Sequence, residues 1–169
     1  NDSRLPTHVD LSNRKGKSGV DRLWRNDSEG KKESKKNLQD IMHSLKRNFS
    51  IQHLDLSSNG IDDEGLKIIL EQLEQRDAFL LEKHNKKNAE AREQNQFKSI
   101  NLANNEFITK TCADLMKNFL PYTYFKTIDF SHSGFHVGSK GILKDAAKKN
   151  ANLTLILNGK EALGSSMRR

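Results

Sequence analysis

The spacing of apolar residues changes from a strand period to a helical period within residues 51–73. Leu54 and Leu56 lie two residues apart, which places both side chains on one face of a short strand. Asn59 follows where the chain must turn, and an asparagine can hydrogen-bond backbone groups that a tight turn leaves unpaired. The next apolar residues have helical spacing, and they are Leu66, Ile69, Leu70 and Leu73. The segment therefore predicts a strand, a turn and an amphipathic helix that starts near residues 62–63.

Two further stretches of the chain repeat this pattern of apolar positions. The matching sets are Ile51, Leu54, Leu56, Asn59 and Ile61; Phe97, Ile100, Leu102, Asn105 and Phe107; and Phe125, Ile128, Phe130, Ser133 and Phe135. The central strand residues Ile100 and Ile128 are 28 residues apart, a period that accommodates one strand and one helix. One such unit cannot bury its own apolar face, so we expect the copies to stack on one another.

Weaker copies of the pattern lie on both sides of these three. Val9 and Leu11 alternate within residues 5–13 and predict a degenerate first strand. Residues 25–37 contain no apolar side chain, so their composition predicts a loop insertion, which is followed by a helix over residues 38–45. The predicted repeats span residues 5–50, 51–96, 97–124 and 125–152.

The second repeat is long, and its last part has two interpretations. Its helix is expected to continue through residues 79–81, whereas residues 82–96 keep good helix formers but lose the apolar stripe. This stretch is either a solvated helix extension or flexible loop, or a projecting arm that contacts a partner. At the other end of the chain, we expect a short helix over residues 142–149, a last strand over residues 153–158 and a frayed tail over residues 159–169.

These spacings resemble those of the leucine-rich repeat family, specifically the ribonuclease-inhibitor-like class, which carries a helix on its convex side. The resemblance is strong in residues 51–73, good in residues 97–119, and weaker in the copy where Ser133 replaces the motif asparagine. It implies an α/β fold in a single domain, residues 1–169. That fold is a right-handed solenoid, or horseshoe segment, of about four to five repeats, with a parallel concave sheet and convex helices. The irregular repeats and the Lys/Asn-rich composition are also similar to those of leucine-rich repeat effectors that intracellular bacteria deliver into host cells.

Composition limits the class of protein further. The chain has 169 residues, of which 34% are hydrophobic and 30% charged, and this fits one compact unit or a fragment of a longer array. The single cysteine, Cys112, excludes a disulfide within one chain and is compatible with a reducing compartment. No apolar run approaches the roughly 20 residues of a membrane-spanning helix. We therefore expect a protein of the cytoplasm, or one delivered into a host cell, without a transmembrane segment.

The net charge of +7 is distributed unevenly along the chain. Residues 1–50 hold 12 basic and 7 acidic side chains, residues 51–96 hold 6 and 10, and residues 97–169 hold 11 and 5. This basic, acidic and basic order is not a single stripe for nucleic acid, and no aromatic residues for base stacking are interleaved with the Lys-rich runs. Binding of nucleic acid or an anionic membrane through Lys31–Lys36 is therefore kept as an alternative, as is the recognition part of a larger enzyme.

No arrangement of residues predicts catalysis or a cofactor. Cys112 lies 46 residues after Leu66, at an equivalent helix position, which predicts a core thiol rather than a nucleophile. The six histidines lack the spacing of a zinc site on a helix. His132 and His136 are four residues apart, but they lie in a stretch rich in glycine and serine. We therefore expect no catalytic residue, no metal and no cofactor.

The strongest candidate site is the face of the predicted sheet that points away from the core. If Leu54 and Leu56 point inward, their neighbours along the strand point outward. The candidate residues on this concave face are His8, Asp10, Ser12, His53, Asp55, Ser57, Ser99, Asn101, Thr127, Asp129 and Ser131, with the small residue Ala103 beside them. The middle residues of these sets are expected to form a ladder, because parallel strands lie about 4.8 Å apart. The ladder residues are Asp10, Asp55, Asn101 and Asp129.

Two interpretations of this ladder are open. Aspartate in a D-L-S sequence can cap the turn that follows the strand. Alternatively, three carboxylates and one amide make the face locally acidic, which favours a docking surface for a basic or hydrogen-bonding protein partner. In similar proteins the concave face is the usual ligand surface, so the resemblance favours non-catalytic protein binding. The identity of the partner and the oligomeric state do not follow from the sequence.

Overall fold

Strands and helices alternate along the residues that the computed structural model describes, 6–13, 23–83, 96–157 and 160–162. The strands are β1 (His8–Asp10), β2 (His53–Asp55), β3 (Ser99–Asn101), β4 (Thr127–Asp129), β5 (Thr154–Leu157) and β6 (Lys160–Ala162). The helices are α1 (Ser28–Lys46), α2 (Asp63–Lys83), α3 (Lys110–Phe119) and α4 (Val137–Ala147). This alternation confirms the predicted α/β class.

The strands form one sheet whose order follows the chain from β1 to β6. Strands β1 to β5 are parallel, and β6 is antiparallel to β5. The middle residues of the parallel strands lie in register, and they are Val9, Leu54, Ile100, Ile128 and Leu155. The predicted stacking of the strands from successive repeats is therefore confirmed.

The hydrophobic core lies on one side of this sheet, beneath the helices. The buried middle residues of the strands and the buried side chains of the helices belong to one apolar cluster, which extends from Trp24 to Leu157. Strands β2, β3 and β4 each bury only their middle side chain, so the two outer side chains point to the opposite face. Burial of each leucine or isoleucine contributes roughly 1.5–3 kcal/mol, which makes this shared core the main force that holds the repeats together.

Asn59 and Asn105 hold the turns after β2 and β3, as the sequence predicts for an asparagine at this position. The Asn105 amide donates to the carbonyls of Leu56 and Leu102 at 3.1 and 2.9 Å. Its Oδ1 accepts the backbone N–H groups of Asn59 and Ile61 at 3.1 and 3.0 Å. Three of these four bonds reach the preceding repeat, so a buried amide ties consecutive turns together.

Helix α1 begins at Ser28, so the loop predicted over residues 25–37 is wrong for most of its length. The Asp27 carboxylate caps the helix by accepting the N–H of Gly30 at 2.8 Å. The buried stripe of α1 continues toward its first turn with two small residues, Gly30 and Ser34. Small residues carry no hydrophobic signal in a sequence, which is why composition alone favoured a loop here.

The third repeat is out of phase with the second by one residue. Ile61 follows Asn59 by two residues, whereas the next buried residue after Asn105 is Ile108, three residues later. Phe107 is 43% exposed, so its predicted equivalence to Ile61 is wrong. The turn after β3 contains one additional residue, and this residue shifts the helix that follows.

The same shift changes the buried face of α3. The buried residues Leu66, Ile69 and Leu73 of α2 correspond to Ala113, Met116 and Leu120, a separation of 47 residues rather than 46. At a spacing of 46 residues, Leu115 and Phe119 would match the core residues Ile69 and Leu73, but Leu115 is 40% exposed and Phe119 is only partly buried. Cys112 is buried as expected, but it occupies the place of Gly65 rather than that of Leu66.

The C-terminal part differs from expectation in two ways. Helix α4 begins at Val137, five residues before the predicted start, and a buried serine, Ser139, takes the first inward position. Strand β6 pairs with β5 within the stretch predicted as a frayed tail, because residues 160–162 complete an antiparallel hairpin. The rest of that tail, residue 159 and residues 163–169, lies outside the described residues.

The predicted continuation of α2 through residues 79–81 is confirmed, since this helix ends at Lys83. Most of the stretch with two interpretations, residues 84–95, lies outside the described part of the chain. Within the part that is described, no helix combines the length and the apolar character needed to cross a lipid bilayer.

Candidate functional site

Two columns of side chains flank the buried middle column and form a surface that we call the polar face. The first column contains His8, His53, Ser99, Thr127 and Thr154 in register. The second column contains Asp10, Asp55, Asn101, Asp129 and Ile156. The structure therefore brings together all eight candidate residues that lie on strands. Thr154 and Ile156 are not among the predicted residues, although the alternation of Leu153, Leu155 and Leu157 would have placed them here.

The serines that follow the strands do not extend the polar face. Ser57 and Ser131 are only 3% and 7% exposed, and Ala103 at the equivalent place is buried as well. Ser12 is partly buried. The prediction of exposed small side chains beside the ladder is therefore wrong for Ser57, Ala103 and Ser131. The reason is that strand alternation stops after three residues: Ser58 already has φ of 61°, in the left-handed region, where the chain turns.

The second-column residues hold the turns that follow their strands. In β1 to β4 the side-chain oxygen accepts the N–H two residues later, in the pairs Asp10–Ser12 (2.9 Å), Asp55–Ser57 (2.9 Å), Asn101–Ala103 (3.0 Å) and Asp129–Ser131 (2.7 Å). The Asn101 amide also donates to Oδ2 of Asp55 at 3.0 Å. These bonds support the turn-capping interpretation of the ladder. Docking on the same residues stays a prediction. It is compatible with capping, because a carboxylate that accepts a hydrogen bond from the backbone still carries its negative charge.

A pair of stacked histidines lies in the first column. The ring centroids of His8 and His53 are 4.1 Å apart, and the rings are 10° from parallel. Nδ1 of His53 and Oγ of Ser99 share a hydrogen bond of 2.8 Å. Burial lowers the pKa of His53, and the positive charges of His8 and Lys98 lower it further. The surroundings of His53 therefore favour its neutral form.

An open depression of about 350 Å³ lies on the polar face over β1, β2 and β3. The side chains that line it are His8, Asp10, His53, Asp55, Ser99 and Asn101, and Val9 and Leu54 also contribute to its wall. The lining combines carboxylates, imidazoles, a hydroxyl and an amide. These groups accept and donate hydrogen bonds that a polar or basic peptide segment can use.

Comparison with known families concerns the segment around β2 and the first part of α2. Residues 47–69 match the family model described as Leucine Rich repeat. The match supports a leucine-rich repeat protein. The matched segment contains β2, the Asn59 turn and the start of α2, and the parallel sheet with its helices is consistent with this type of repeat. No curated protein matches the chain.

The Lys-rich run at the start of α1 is partly used in contacts between repeats. Lys31 pairs with Asp62 at 2.9 Å and with Glu64 at 3.2 Å, and Lys35 pairs with Glu64 at 2.9 Å. The hydrogen bond to Asp62 is the main cause that raises the pKa of Lys31. These bonds connect α1 of the first repeat to the start of α2 in the second. Lys31 and Lys35 are therefore already paired with carboxylates. This weakens the alternative of nucleic-acid binding through Lys31–Lys36.

Arg76 of α2 is an important residue that the sequence analysis missed. Its side chain is 1% exposed, and its guanidinium donates to the carbonyls of Leu45 and Asn48 at 2.6 and 2.7 Å. The same group lies 4.1 Å from the centroid of the Phe97 ring. Burial lowers the pKa of Arg76 to about 10, which leaves the side chain protonated at neutral pH. A pattern of apolar residues does not reveal a buried arginine. Its partners also lie in other repeats, so they cannot be recognised from the residues next to it in the sequence.

The thiol of Cys112 is buried in the core. Burial raises the pKa of the Cys112 thiol, whose Sγ lies 3.4 Å from the carbonyl oxygen of Asp63. A buried thiol with a raised pKa is a poor nucleophile. Within the described ranges, no three His, Cys, Asp or Glu side chains lie close enough together to hold a metal ion.

Proposed function

We propose that this chain is a non-catalytic protein-binding module that uses the polar face as its docking surface. In this proposal the repeats form a short, right-handed solenoid of the ribonuclease-inhibitor-like class, so the polar face is its concave side. The observation that carries the proposal is the register of two polar columns across four parallel strands. A surface backed by a shared core presents carboxylate, imidazole, hydroxyl and amide groups at intervals of about 4.8 Å. That regular spacing suits a peptide segment or helix that crosses the strands.

The chemistry of the face favours a basic or hydrogen-bonding partner. Asp10, Asp55 and Asp129 lie in one column, and their charges attract a basic surface during diffusional encounter. A stable interface buries roughly 800 Å² on each partner, so neighbouring loops must also take part. In this proposal, the strands supply specificity through fixed polar groups, and the loops supply additional area.

A matched pair of substitutions tests the proposal. Thr127→Arg places a long side chain in the first column, and it leaves the turn-capping residue of the same strand, Asp129, unchanged. Thr111→Arg makes the same change on α3, where Thr111 is exposed. We expect proteins captured from a cell lysate by the wild type to be captured by Thr111→Arg and lost with Thr127→Arg, as measured by quantitative mass spectrometry.

Circular dichroism melting must accompany this capture experiment, because Thr127 is half-buried. A Thr127→Arg protein that melts like the wild type and still captures the same proteins would show that the polar face is not the docking surface.

We propose further that the protein acts as an effector of an intracellular bacterium after delivery into a host cell. The support is the irregular repeat length and the Lys/Asn-rich composition of the chain. A translocation reporter fused to the protein tests this, since the reporter signal should appear inside the host cell only when the bacterial secretion system is intact.

A further inference from the structure

We propose that the stacked pair His8–His53 makes the polar face sensitive to pH, so that acidification weakens both the attachment of β1 and the binding of a basic partner. The effect on a partner rests on the proposed function, whereas the effect on β1 does not. The two effects are therefore measured separately.

The position of the pair explains why β1 is the affected element. His8 lies opposite His53 in the register of β1 and β2, and β2 is the neighbour of β1 in the sheet order. The rings overlap at 4.1 Å, a geometry that suits neutral imidazoles. Two imidazolium ions at this distance repel each other, and like charges directly opposite in a sheet are destabilising. Double protonation therefore acts on the contact between the first two strands.

The charged groups around the pair are carboxylates on one side and a lysine on the other. Asp10 and Asp55 follow the two histidines by two residues on the same strands. Lys98, which precedes β3, opposes protonation of His53. Once one ring is charged, the second proton must be placed 4.1 Å from a cation. Charge on both rings at once is therefore unfavourable.

The sign of the stability change follows from His53. Its pKa is lowered in the folded protein, relative to the ordinary value of about 6.5 in the unfolded chain. The unfolded chain then binds more protons, so this stabilisation is complete above about pH 6.5 and is lost as the pH falls through the lowered pKa. For each unit by which the pKa is lowered, the folding equilibrium constant falls about tenfold on acidification.

Protonation also changes the charge that a partner meets. At neutral pH the second column carries the carboxylates of Asp10, Asp55 and Asp129. Two protonated imidazoles in the adjacent column offset two of these negative charges. Attraction of a basic segment to the depression over β1, β2 and β3 should then weaken, because both histidines line it.

The first experiment is an NMR titration of the histidine ring protons in the wild-type protein. We expect the ring of His53 to titrate below the ordinary value of about 6.5. Assignment to His8 and His53 uses the variants His8→Phe and His53→Asn. Titration of His53 at or above the ordinary value in the wild-type protein would overturn the proposal.

The second experiment compares melting temperatures at about pH 7.5 and about pH 5.5. His8→Phe keeps a flat ring over His53 and removes one of the two charges, so the drop in melting temperature on acidification should become smaller. His43→Phe, at an exposed position of α1, makes the same chemical change elsewhere and should leave the drop unchanged. His8→Lys, which keeps a permanent cation, should lower the melting temperature already at about pH 7.5. Equal drops in the wild type and His8→Phe would overturn the effect on β1.

The third experiment addresses the partner with a defined probe, the peptide acetyl-Gly-Arg-Gly-amide, and its neutral match acetyl-Gly-Gln-Gly-amide. At about pH 7.5 the arginine peptide should shift the backbone amide signals of Asp10 and Asp55, and the glutamine peptide should not. At about pH 5.5 these shifts should be lost in the wild type and retained in His8→Phe. Absence of binding at neutral pH, or undiminished binding by the wild type in acid, would overturn the effect on a partner. Capture that is lost with Thr127→Arg would still uphold the proposed function.

Discussion

Asp63 at the start of α2 accepts two hydrogen bonds from Thr109, one from its backbone N–H at 2.6 Å and one from its hydroxyl at 2.5 Å. Thr109 is the N-cap residue of α3, but its side chain makes no capping bond to that helix, and its hydroxyl donates to Asp63. The carboxylate also lies near the positive end of the α3 dipole. The start of one helix therefore positions the start of the next, which adds to the contacts made by the shared core.

This contact predicts a measurable coupling. We expect Asp63→Ala to lower the free energy of unfolding by about 1–2 kcal/mol, because both donors of Thr109 lose their acceptor. Asp114→Ala, at an exposed position of α3, should change it by less than about 0.5 kcal/mol. A double-mutant cycle that combines Asp63→Ala with Thr109→Val, measured by urea denaturation, isolates the contribution of the hydroxyl hydrogen bond. Strictly additive effects of the two substitutions would contradict this coupling.

Ser133 offers a stabilising substitution. It takes the place of Asn59 and Asn105 in the fourth repeat, and its buried hydroxyl has no hydrogen-bond partner among the described residues. We expect Ser133→Asn to raise the free energy of unfolding by about 1 kcal/mol, because the amide can bond the turn of the preceding repeat. Ser133→Ala should be nearly neutral, since it removes only an unpaired group. A lower melting temperature for Ser133→Asn would show that the extra residue after Asn105 has moved those backbone groups out of reach.

Gly134 is a position where the backbone of two repeats comes into close contact. A Cβ added there would lie 2.1 Å from the carbonyl oxygen of Glu106, which is too short for two heavy atoms that are not bonded to each other. We expect Gly134→Ala to cost about 2–4 kcal/mol in unfolding free energy, because a backbone atom must move. Gly141→Ala in α4 meets nothing within 4 Å, and it should stabilise the helix by up to about 1 kcal/mol. Similar melting temperatures for the two variants would contradict the close approach.

Arg76 predicts a loss of stability that surface arginines do not share. Replacement by methionine should lower the free energy of unfolding by about 3 kcal/mol, because the carbonyls of Leu45 and Asn48 are left without this donor. Arg47→Met, at an exposed position just after α1, removes the same charge and should have little effect. Chemical denaturation at neutral pH compares the two variants. A small effect for Arg76→Met would mean that water replaces the guanidinium.

The candidate site was largely predictable, because it depends on the local period of a strand. Once Leu54 and Ile100 are placed in one register, the outward positions of Asp55 and Asn101 follow without further information. The error at Ser57 arises because the strand is only three residues long, and alternation does not continue into a turn. A pattern of apolar residues shows the direction of side chains, but it does not show where the strand ends.

The one-residue shift in the third repeat was not predictable from the same pattern. Phe107 and Ile108 are both apolar, so either could follow Asn105 as the next core residue. One additional residue rotates a helix by about 100°, and the choice then decides whether Leu115 or Ala113 faces the core. Only the packing of α3 against its neighbours distinguishes the two arrangements.

By itself, the sequence determined the order of strands and helices through β5, the stacking of Leu54 on Ile100 and Ile128, and eight residues of the polar face. These features depend on the two-residue period of a strand and on a strand, turn and helix pattern that recurs along the chain at irregular intervals. The tertiary structure decided where α1 begins, which residues of α3 are buried, and that Arg76 is an internal cation. Each of these depends on a contact between residues of different repeats, and neither the position nor the strength of such a contact is contained in a local pattern.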